Sequence, residues 1–286
     1  MGMIKKSRVL YTVLTNAYEQ LNELEIEKEE NVDYLCYTDS KNLKSNTWQI
    51  ELFRPKFGND PIRSQRYLKI AQTPKIKSYQ ESLYIDNSVI LRKPVNKILN
   101  DFLFNSTFTV PLHSFRSTLL DEFKEVSSNK LDDHEKLEEQ LQYYEVNYSN
   151  ILLMKPYWTA IIARKNIISN EILERIWIDH VLRFSRRDQL SFNVALKEAE
   201  GKVRGIEIDN YTSEFHEWPK TKNRVEAKRL TNVTDWRIVS ESLTQQLEEL
   251  SSALKDRELE LMNIRNSKSW RLTKFLRHLN GFSLKQ

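Results

Sequence analysis

The stretch Leu83-Tyr84-Ile85-Asp86-Asn87-Ser88-Val89 is the most informative pattern in this 286-residue sequence. The apolar residues from Ser82 to Ile85 predict a buried strand, and the Asp, Asn and Ser that follow predict a turn. Ligands of open α/β sheets bind just beyond the carboxyl ends of the strands. A carboxylate there, here Asp86, can hold a divalent cation, which in turn can hold a diphosphate. A plain polar turn after a strand is the competing interpretation.

Two earlier apolar runs predict neighbouring strands that also end in polar residues. The first run, residues 8–14, leads to Asn16, and the second, residues 32–37, leads to Asp39. Both side chains are therefore candidates for binding a donor substrate at the carboxyl edge of the sheet. A turn residue or a helix N-cap is the alternative interpretation of Asp39. Residues 48–52 predict a third, edge-like strand.

A basic stripe marks the next predicted helix. The helix spans residues 61–73, with Pro61 suited to its first turn. Arg63, Arg66 and Lys69 recur every three residues and so share one side of it. Such a stripe close to a strand-end carboxylate predicts contacts with the phosphates of a donor. A solvated helix face is the alternative.

The middle of the chain continues as mixed strands and helices, which favours an α/β class. The predicted strands are residues 107–110, 151–154, 159–163 and 206–208, and the predicted helices are residues 94–99, 119–126, 132–144 and 170–184. Another helix is predicted after a polar run, with Arg187, Asp188 and Gln189 at its start. These are candidate functional groups, and an N-cap by Asp188 is the alternative.

Composition restricts the class of protein. Hydrophobic content of 40%, charged content of 29% and a net charge of +4 are typical of a soluble protein with a core and do not indicate a nucleic-acid binder. The one cysteine, Cys36, excludes a disulfide framework and is consistent with a reducing cytoplasm. The sequence contains no signal-peptide core and no membrane span. None of the five glycines forms a phosphate-binding loop, so nucleotide binding would need side chains and a metal.

The character of the sequence changes near Val225, and we predict a domain of residues 1–224 followed by a helical tail of residues 225–286. Two series of apolar residues spaced by sevens form a heptad seam, broken at Arg257. They are Trp236, Leu243, Leu250 and Ile264, and Leu247, Leu254 and Leu261. The seam predicts either a homodimer through this helix or a helix docked on the domain.

The end of the tail is basic and amphipathic. No acidic residue follows Glu260, whereas Arg and Lys recur to the end of the chain. One helical face carries Leu272, Phe275, Leu276 and Leu279. This combination predicts attachment to an anionic membrane surface, with docking onto protein as the alternative.

Several of these motifs together resemble a known family. They are Tyr84-Ile85-Asp86-Asn87-Ser88, His113 with Arg116, Gln140 with Tyr143, and Trp177 ahead of Ser185-Arg186-Arg187-Asp188-Gln189-Leu190-Ser191-Phe192. The chain from Arg8 to Pro219 is similar to GT-A-like glycosyltransferase domains of bacterial polysaccharide clusters and of plant proteins linked to mucilage and cell-wall polymers. The tail from residue 263 to 273 is similar to C-terminal tails of bacterial surface-polysaccharide enzymes.

The resemblance implies a single Rossmann-type mixed sheet flanked by helices, and a nucleotide-sugar transferase. Asp86 and His216 would share Mn²⁺ or Mg²⁺, although Asp86-Asn87-Ser88 lacks the second Asp of the usual Asp-x-Asp. Asp188 would act as a base or hold sugar hydroxyls, with Arg187 and Gln189 beside it. The implied donor-binding residues are Asn16, Asp39, Arg63, Arg66, Lys69, Asp86 and Ser88, and the implied acceptor-binding residues are His113, Arg116 and Trp158.

The leading hypothesis is therefore a cytoplasmic glycosyltransferase of surface-polysaccharide synthesis, peripheral to the inner face of the membrane. Its partners would be a nucleotide-sugar donor and a glycan or lipid-linked acceptor. The missing second Asp favours a non-catalytic glycan-binding or assembly protein of the same fold. A metal-dependent hydrolase using Asp86 and His216 is a third hypothesis, and it lacks further evident ligands.

Overall fold

A computed structural model describes residues 7–16, 19–219 and 236–273. The chain divides into one unit of residues 1–233 and a second of residues 234–286. The strands of the first unit are β1 Arg8–Leu14, β2 Val32–Thr38, β3 Gln49–Leu52, β4 Glu81–Ile85, β5 Ile90–Leu91, β6 Phe108–Pro111, β7 Ile161–Lys165, β8 Arg204–Ile206 and β9 His216–Glu217. Its helices are α1 Pro61–Ala71, α2 Pro74–Lys77, α3 Val95–Phe102, α4 Leu119–Ser128, α5 His134–Asn147, α6 Ser149–Leu152, α7 Ile168–Arg183 and α8 Asp188–Glu198.

The main sheet is mixed and has seven strands in the order β3-β2-β1-β4-β7-β6-β8. The first four of these are parallel, β7 runs antiparallel to both β4 and β6, and β8 is parallel to β6. Strands β5 and β9 form a separate antiparallel pair. The predicted α/β class with a GT-A-like sheet flanked by helices is confirmed. The carboxyl ends of β1, β2 and β4 meet at one edge of this sheet.

Successive side chains of a strand point to opposite faces of the sheet, which separates the core into two layers. In β1, Val9, Tyr11 and Val13 belong to a cluster built with α1, α7 and α8, whereas Leu10 and Leu14 belong to a cluster built with α3. Helices therefore cover both faces of the central strands. This double coverage explains why β1 and β2 are almost continuously apolar in sequence.

Most predicted elements are present, but one is of the wrong type. The run of residues 151–154, predicted as a strand, contributes to the short helix α6 and to the residues just after it. Leu152 is buried against α4 and α5, while Leu153 and Met154 are 68% and 52% exposed. A four-residue apolar run does not distinguish a strand from one turn of helix, which explains the error.

The second unit contains α9 Trp236–Asn266 and α10 Lys268–Leu272. The described heptad residues of α9 are exposed, from 45% at Ile264 to 68% at Leu250. Within the described parts of the chain, no helix is long and apolar enough to span a bilayer. The predicted domain boundary at residue 224 and most of the basic end of the tail lie outside the described residues.

Candidate active site

The strand-end carboxylate Asp86 lies beside two cations. Its backbone N–H donates to the carbonyl of Ala160 at 2.8 Å, which extends the pairing of β4 with β7 by one residue. Its Oδ1 accepts a hydrogen bond from the hydroxyl of Tyr84 at 2.6 Å. The same oxygen lies 3.7 Å from Nη1 of Arg66 and 3.7 Å from Nζ of Lys69. The side chain of Asp86 is 23% exposed, so this carboxylate remains open to a ligand.

Asp188 binds the same two cations from the other side. It is the first residue of α8, where Arg187 occupies the N-cap position without a side-chain capping bond. Its Oδ1 lies 3.0 Å from Nε of Arg66, and its Oδ2 lies 2.6 Å from Nζ of Lys69. Oδ2 also accepts from the hydroxyl of Thr159 at 2.9 Å. The alternative that Asp188 merely caps the helix is therefore wrong.

Two carboxylates and two cations make this network electrically balanced. Burial alone would raise the pKa of Asp188, but the combined attraction of Arg66 and Lys69 holds that pKa below its ordinary value. Burial lowers the pKa of Lys69, and the attraction of Asp188 and Asp86 opposes that effect. Burial also raises the pKa of Tyr84, which keeps its hydroxyl a donor to Asp86.

The predicted basic stripe of α1 splits into two parts. Arg66 and Lys69 are only 6% and 1% exposed, so the solvated-face interpretation is wrong for them. Arg63 instead reaches the carboxyl end of α7. Its Nη1 donates to the carbonyls of Val181 and Leu182 at 2.6 Å each, and its Nη2 donates to that of Phe184 at 3.1 Å. A cation at a helix carboxyl end is a stabilising arrangement, and these contacts differ from the predicted phosphate contact.

The other predicted donor residues lie at the same sheet edge. The backbone N–H of Asn16 donates to both carboxylate oxygens of Asp39, at 2.9 and 3.1 Å, so the ends of β1 and β2 are joined. Asn87 accepts from the backbone N–H of Asn22 and donates to the carbonyl of Gln20, which holds that loop against the end of β4. Ser88 is 7% exposed.

The residues present fit a divalent cation only in part. Nε2 of His216 lies 3.0 Å from the carbonyl of Asn210, and its Nδ1 lies 2.8 Å from the hydroxyl of Ser213. Burial lowers the pKa of His216, so the ring is neutral, and these bonds occupy both nitrogens. Among the described residues, no three His, Cys, Asp or Glu side chains are grouped to hold an ion. Asp86 alone fits as a ligand, and Mg²⁺ needs only one or two carboxylates when substrate phosphates supply the rest.

His216 instead supports a loop of the site. Asn210, whose carbonyl it contacts, donates through Nδ2 to the carbonyl of Leu112 at 3.0 Å and accepts through Oδ1 from the N–H of Ser114 at 2.7 Å. These bonds fix the loop that carries His113. His216 thus has a structural role in this structure, where both ring nitrogens contact polar groups, and its shared-cation role stays a prediction.

A second polar cluster surrounds a residue that sequence reasoning missed. Glu122 of α4 is 4% exposed, and its Oε1 accepts from Nε2 of Gln189 at 3.2 Å. Its Oε2 lies 3.4 Å from Nε of Arg116 and 3.7 Å from Nε2 of His113. The sequence signal that could have revealed Glu122 is its position, because it shares the buried face of α4 with Leu119 and other apolar residues.

Trp158 packs into the core, where only 2% of it is exposed. Its ring lies 5.1 Å from that of His216 and 5.6 Å from that of Trp218. The predicted acceptor contact is therefore not accessible in this structure. Half-buried rings stack nearby, with Phe115 and Tyr211 4.7 Å apart and Tyr211 and Trp218 5.5 Å apart.

The mixed sheet and the charged side chains at its carboxyl edge belong to a domain of the glycosyltransferase-like class, as a family match shows. The TOD1/MUCI70 glycosyltransferase-like domain family matches residues 23–215, and the chain belongs to that family. Among proteins with curated descriptions, none matches the chain significantly in sequence.

Three solved structures illustrate the distant similarity of the fold. The apo structure of the bifunctional glycosyltransferase WbbM matches with a TM-score of 0.42 and 9% sequence identity. The match covers 72% of this chain and 40% of the WbbM chain. Core-mannan synthase A (CmsA/Ktr4) from Aspergillus fumigatus, in its Mn/GDP form, matches with a TM-score of 0.40 and 11% identity. The match covers 70% of this chain and 72% of the synthase chain. The mannosyltransferase Ktr4p from S. cerevisiae matches with a TM-score of 0.41 and 11% identity, and the match covers 70% of this chain and 68% of the Ktr4p chain. This chain thus spans about two fifths of the length of WbbM.

Proposed function

We propose that this protein is a glycosyltransferase that moves a sugar from a nucleotide-sugar donor to a glycan or lipid-linked acceptor in surface-polysaccharide synthesis. One observation carries the proposal. Two carboxylates from different elements, Asp86 and Asp188, are held by the same two buried cations, Arg66 and Lys69, at the carboxyl edge of the sheet. Ligands of open α/β sheets bind at that edge, and family membership agrees with transfer chemistry.

Each part of the site has a role in this reaction. Asn16 and Asp39, at the joined ends of β1 and β2, would bind the nucleoside of the donor. Asp86 would hold Mn²⁺ or Mg²⁺, which supplies charge stabilisation for the diphosphate leaving group. Asp188 is fixed by Arg66 and Lys69, so its carboxylate is positioned to accept hydrogen bonds from sugar hydroxyls. Its lowered pKa makes it a weak base, which favours this positioning role.

Donor binding tests the proposal most directly. Full-length protein is screened by thermal shift against UDP- and GDP-linked sugars with Mn²⁺ present, because a ligand of the folded state raises the melting temperature. We expect one nucleotide sugar to stabilise the wild type and to lose its effect in Asp86→Asn. The matched control is Asp179→Asn, an exposed carboxylate of α7. A donor that binds without any release of diphosphate would support the non-catalytic alternative.

We further propose that the tail brings the enzyme to a lipid-linked acceptor. Its last residues combine an apolar face with Arg and Lys, and each basic residue near an anionic surface contributes about 1 kcal/mol of binding free energy. The full-length chain should therefore sediment with anionic vesicles at low salt, and a chain ending at Arg224 should not. Absence of sedimentation by the full-length chain would contradict this role.

A further inference from the structure

Glu122 connects α4 to the start of α8, immediately beside the charged network. Asp188 and Gln189 are consecutive residues, and they face different partners. Asp188 contacts Arg66 and Lys69, whereas Gln189 donates to Glu122 at 3.2 Å. A sugar held by Asp188 would therefore have the Glu122 cluster next to it. The charged network and this cluster therefore both contact the first turn of α8.

His113 supplies an observation that points to a ligand. The ring is 3% exposed, and its Nδ1 has no hydrogen-bond partner among the described residues. Burial lowers the pKa of His113 to about 3, with help from Arg116 and Lys155, so the ring is neutral. Its Nε2 faces Glu122 at 3.7 Å, which favours a proton there and leaves a lone pair on Nδ1. A buried acceptor without a donor is unfavourable, and a hydroxyl group of a ligand would satisfy it.

The loop around His113 is built to hold this position. The N–H of His113 donates to the carbonyl of Pro156 at 2.9 Å, and Asn210 binds the residues on both sides. Its ring packs edge-on against Phe115 at 4.3 Å, and Phe115 stacks on Tyr211. A fixed acceptor atom beside stacked aromatic rings suits a carbohydrate, which presents hydroxyls at its rim and C–H groups on its faces.

The electrostatics of Glu122 differ from those of Asp188. Burial raises the pKa of Glu122 above its ordinary value, and Glu125 adds to that rise, while Arg187 and Arg116 oppose it. Nε of Arg116 lies 3.4 Å from the carboxylate of Glu122, whereas Nζ of Lys69 lies 2.6 Å from that of Asp188. A carboxylate accepts about four hydrogen bonds, so Glu122 retains capacity for another donor. Of the two, Glu122 is the better proton acceptor near neutral pH.

We propose that His113, Glu122 and Gln189 bind the reacting hydroxyl of a carbohydrate acceptor, and that the Glu122 carboxylate takes its proton. This rests on the transfer reaction proposed above. The acceptor oxygen forms a bond to the anomeric carbon as the bond from that carbon to the diphosphate oxygen breaks. The electron pair of the broken bond leaves with the diphosphate, and the acceptor proton ends on Glu122. This direct displacement inverts the anomeric configuration.

The test compares full-length wild type, Glu122→Gln and the matched control Glu125→Gln. Glu125 lies one turn further along α4, has a side chain that is 45% exposed and also pairs with Arg116, at 3.0 Å. Water serves as the acceptor, and release of UDP or GDP is measured from the nucleotide sugar that best stabilises the wild type. We expect Glu122→Gln to bind that donor normally and to release diphosphate about 100-fold more slowly, and Glu125→Gln to stay within about 3-fold.

Sodium azide then separates a base from a structural residue. Azide attacks without losing a proton, so it should restore diphosphate release in Glu122→Gln and give a glycosyl azide of inverted configuration. The rate of diphosphate release by the wild type should fall as pH drops through the raised pKa of Glu122. This acid limb of the pH–rate profile should be absent from Glu122→Gln. If Glu122→Gln does not fold, Glu122→Asp replaces it, with reduced release and the acid limb retained.

Three results would overturn the inference. They are release by Glu122→Gln close to the wild-type rate, no azide rescue in a variant that still binds donor, and retention of anomeric configuration. An NMR titration of the Glu122 side-chain carbon decides the point even without turnover, because a pKa at or below the ordinary 4.5 contradicts a poised base. A wild type that neither binds nor cleaves any donor would instead count against the proposed function.

Discussion

Lys69 and Asp188 form a buried ion pair, with Nζ of the lysine 2.6 Å from Oδ2 of the aspartate and the side chains 1% and 4% exposed. Lys69 lies in the last turn of α1, and Asp188 is the first residue of α8. The pair therefore joins two helices that pack on the same face of the sheet. Because Asp86 faces the same lysine at 3.7 Å, the ion pair also fixes the charge around the strand-end carboxylate.

Replacement of Asp188 by Asn should reduce stability as well as activity. Removal of one partner of a buried ion pair leaves uncompensated charge and typically costs 3–5 kcal/mol, so we expect the free energy of unfolding to fall by about 3 kcal/mol. Urea denaturation measures this change. The control Asp179→Asn, at an exposed position, should stay within about 0.5 kcal/mol of the wild type. A loss in Asp188→Asn as small as the control's would show that the pair is not buried in solution.

Arg63 should behave as a structural residue. Its guanidinium donates to three carbonyls at the end of α7, and hydrogen bonds from charged donors contribute about 1.5–3 kcal/mol each at most. We expect Arg63→Ala to lower the free energy of unfolding by about 2 kcal/mol and to leave donor affinity unchanged. The control is Arg175→Ala, an exposed arginine of α7. A large loss of donor affinity without loss of stability would restore the phosphate-binding role predicted from the sequence.

The sequence predicted the sheet and the chemistry of its edge better than the partners of each side chain. Apolar runs ending in Asn16, Asp39 and Asp86 were enough to locate the edge, because strand period and turn composition are local properties. The period of three in α1 placed Arg66 and Lys69 on one side. It could not show that Asp188, more than a hundred residues later, would pair with them, since that contact depends on the packing of α8.

Glu122 was not singled out from the sequence, and the contacts of His216 were not foreseen, for a similar reason. A glutamate in a charged helix gives little local signal, and only the burial of its helix face distinguishes it. A late histidine in a transferase-like sequence suggests a metal ligand. In the structure, however, His216 contacts a loop that the β5–β9 pair holds in place. Long-range pairing decides both cases.

Acid should destabilise the protein through His113. Its pKa is lowered from 6.5 to about 3, so the stabilisation that comes from keeping the ring neutral is complete above pH 6.5 and is lost as pH falls toward 3. At pH 5 the loss amounts to about 2 kcal/mol. His113→Gln should therefore show a smaller fall in unfolding free energy between pH 7 and 5 than the wild type. His134→Gln is the control, because that side chain is 70% exposed. Equal pH dependence in the wild type and His113→Gln would contradict a buried neutral ring.

Metal dependence should follow Asp86 and not His216. With Mn²⁺ as the probe, we expect Asp86→Asn to lose any effect of the ion on donor affinity, because it removes the single carboxylate ligand. His216→Gln should keep the effect but unfold about 1–3 kcal/mol more easily, since a buried partner of Asn210 is lost. Donor affinity with Mn²⁺ and with EDTA measures the effect of the ion in both variants. Loss of the Mn²⁺ effect in His216→Gln at full stability would support the shared cation site.

The exposed seam of α9 should pair two chains. Leu247, Leu250 and Leu254 are 64–68% exposed in a helix of 31 residues, and a single helix with such a face is marginal in water. Sedimentation analysis should give a mass of twice 34.1 kDa for the full-length chain. Leu250→Lys should shift it to the monomer, because charges at a seam position repel across the interface. Ser252→Lys, on the opposite side of the same turn, should remain dimeric. A wild type that sediments as a monomer at its highest soluble concentration would contradict pairing, and docking of the helix on another surface would then account for the seam.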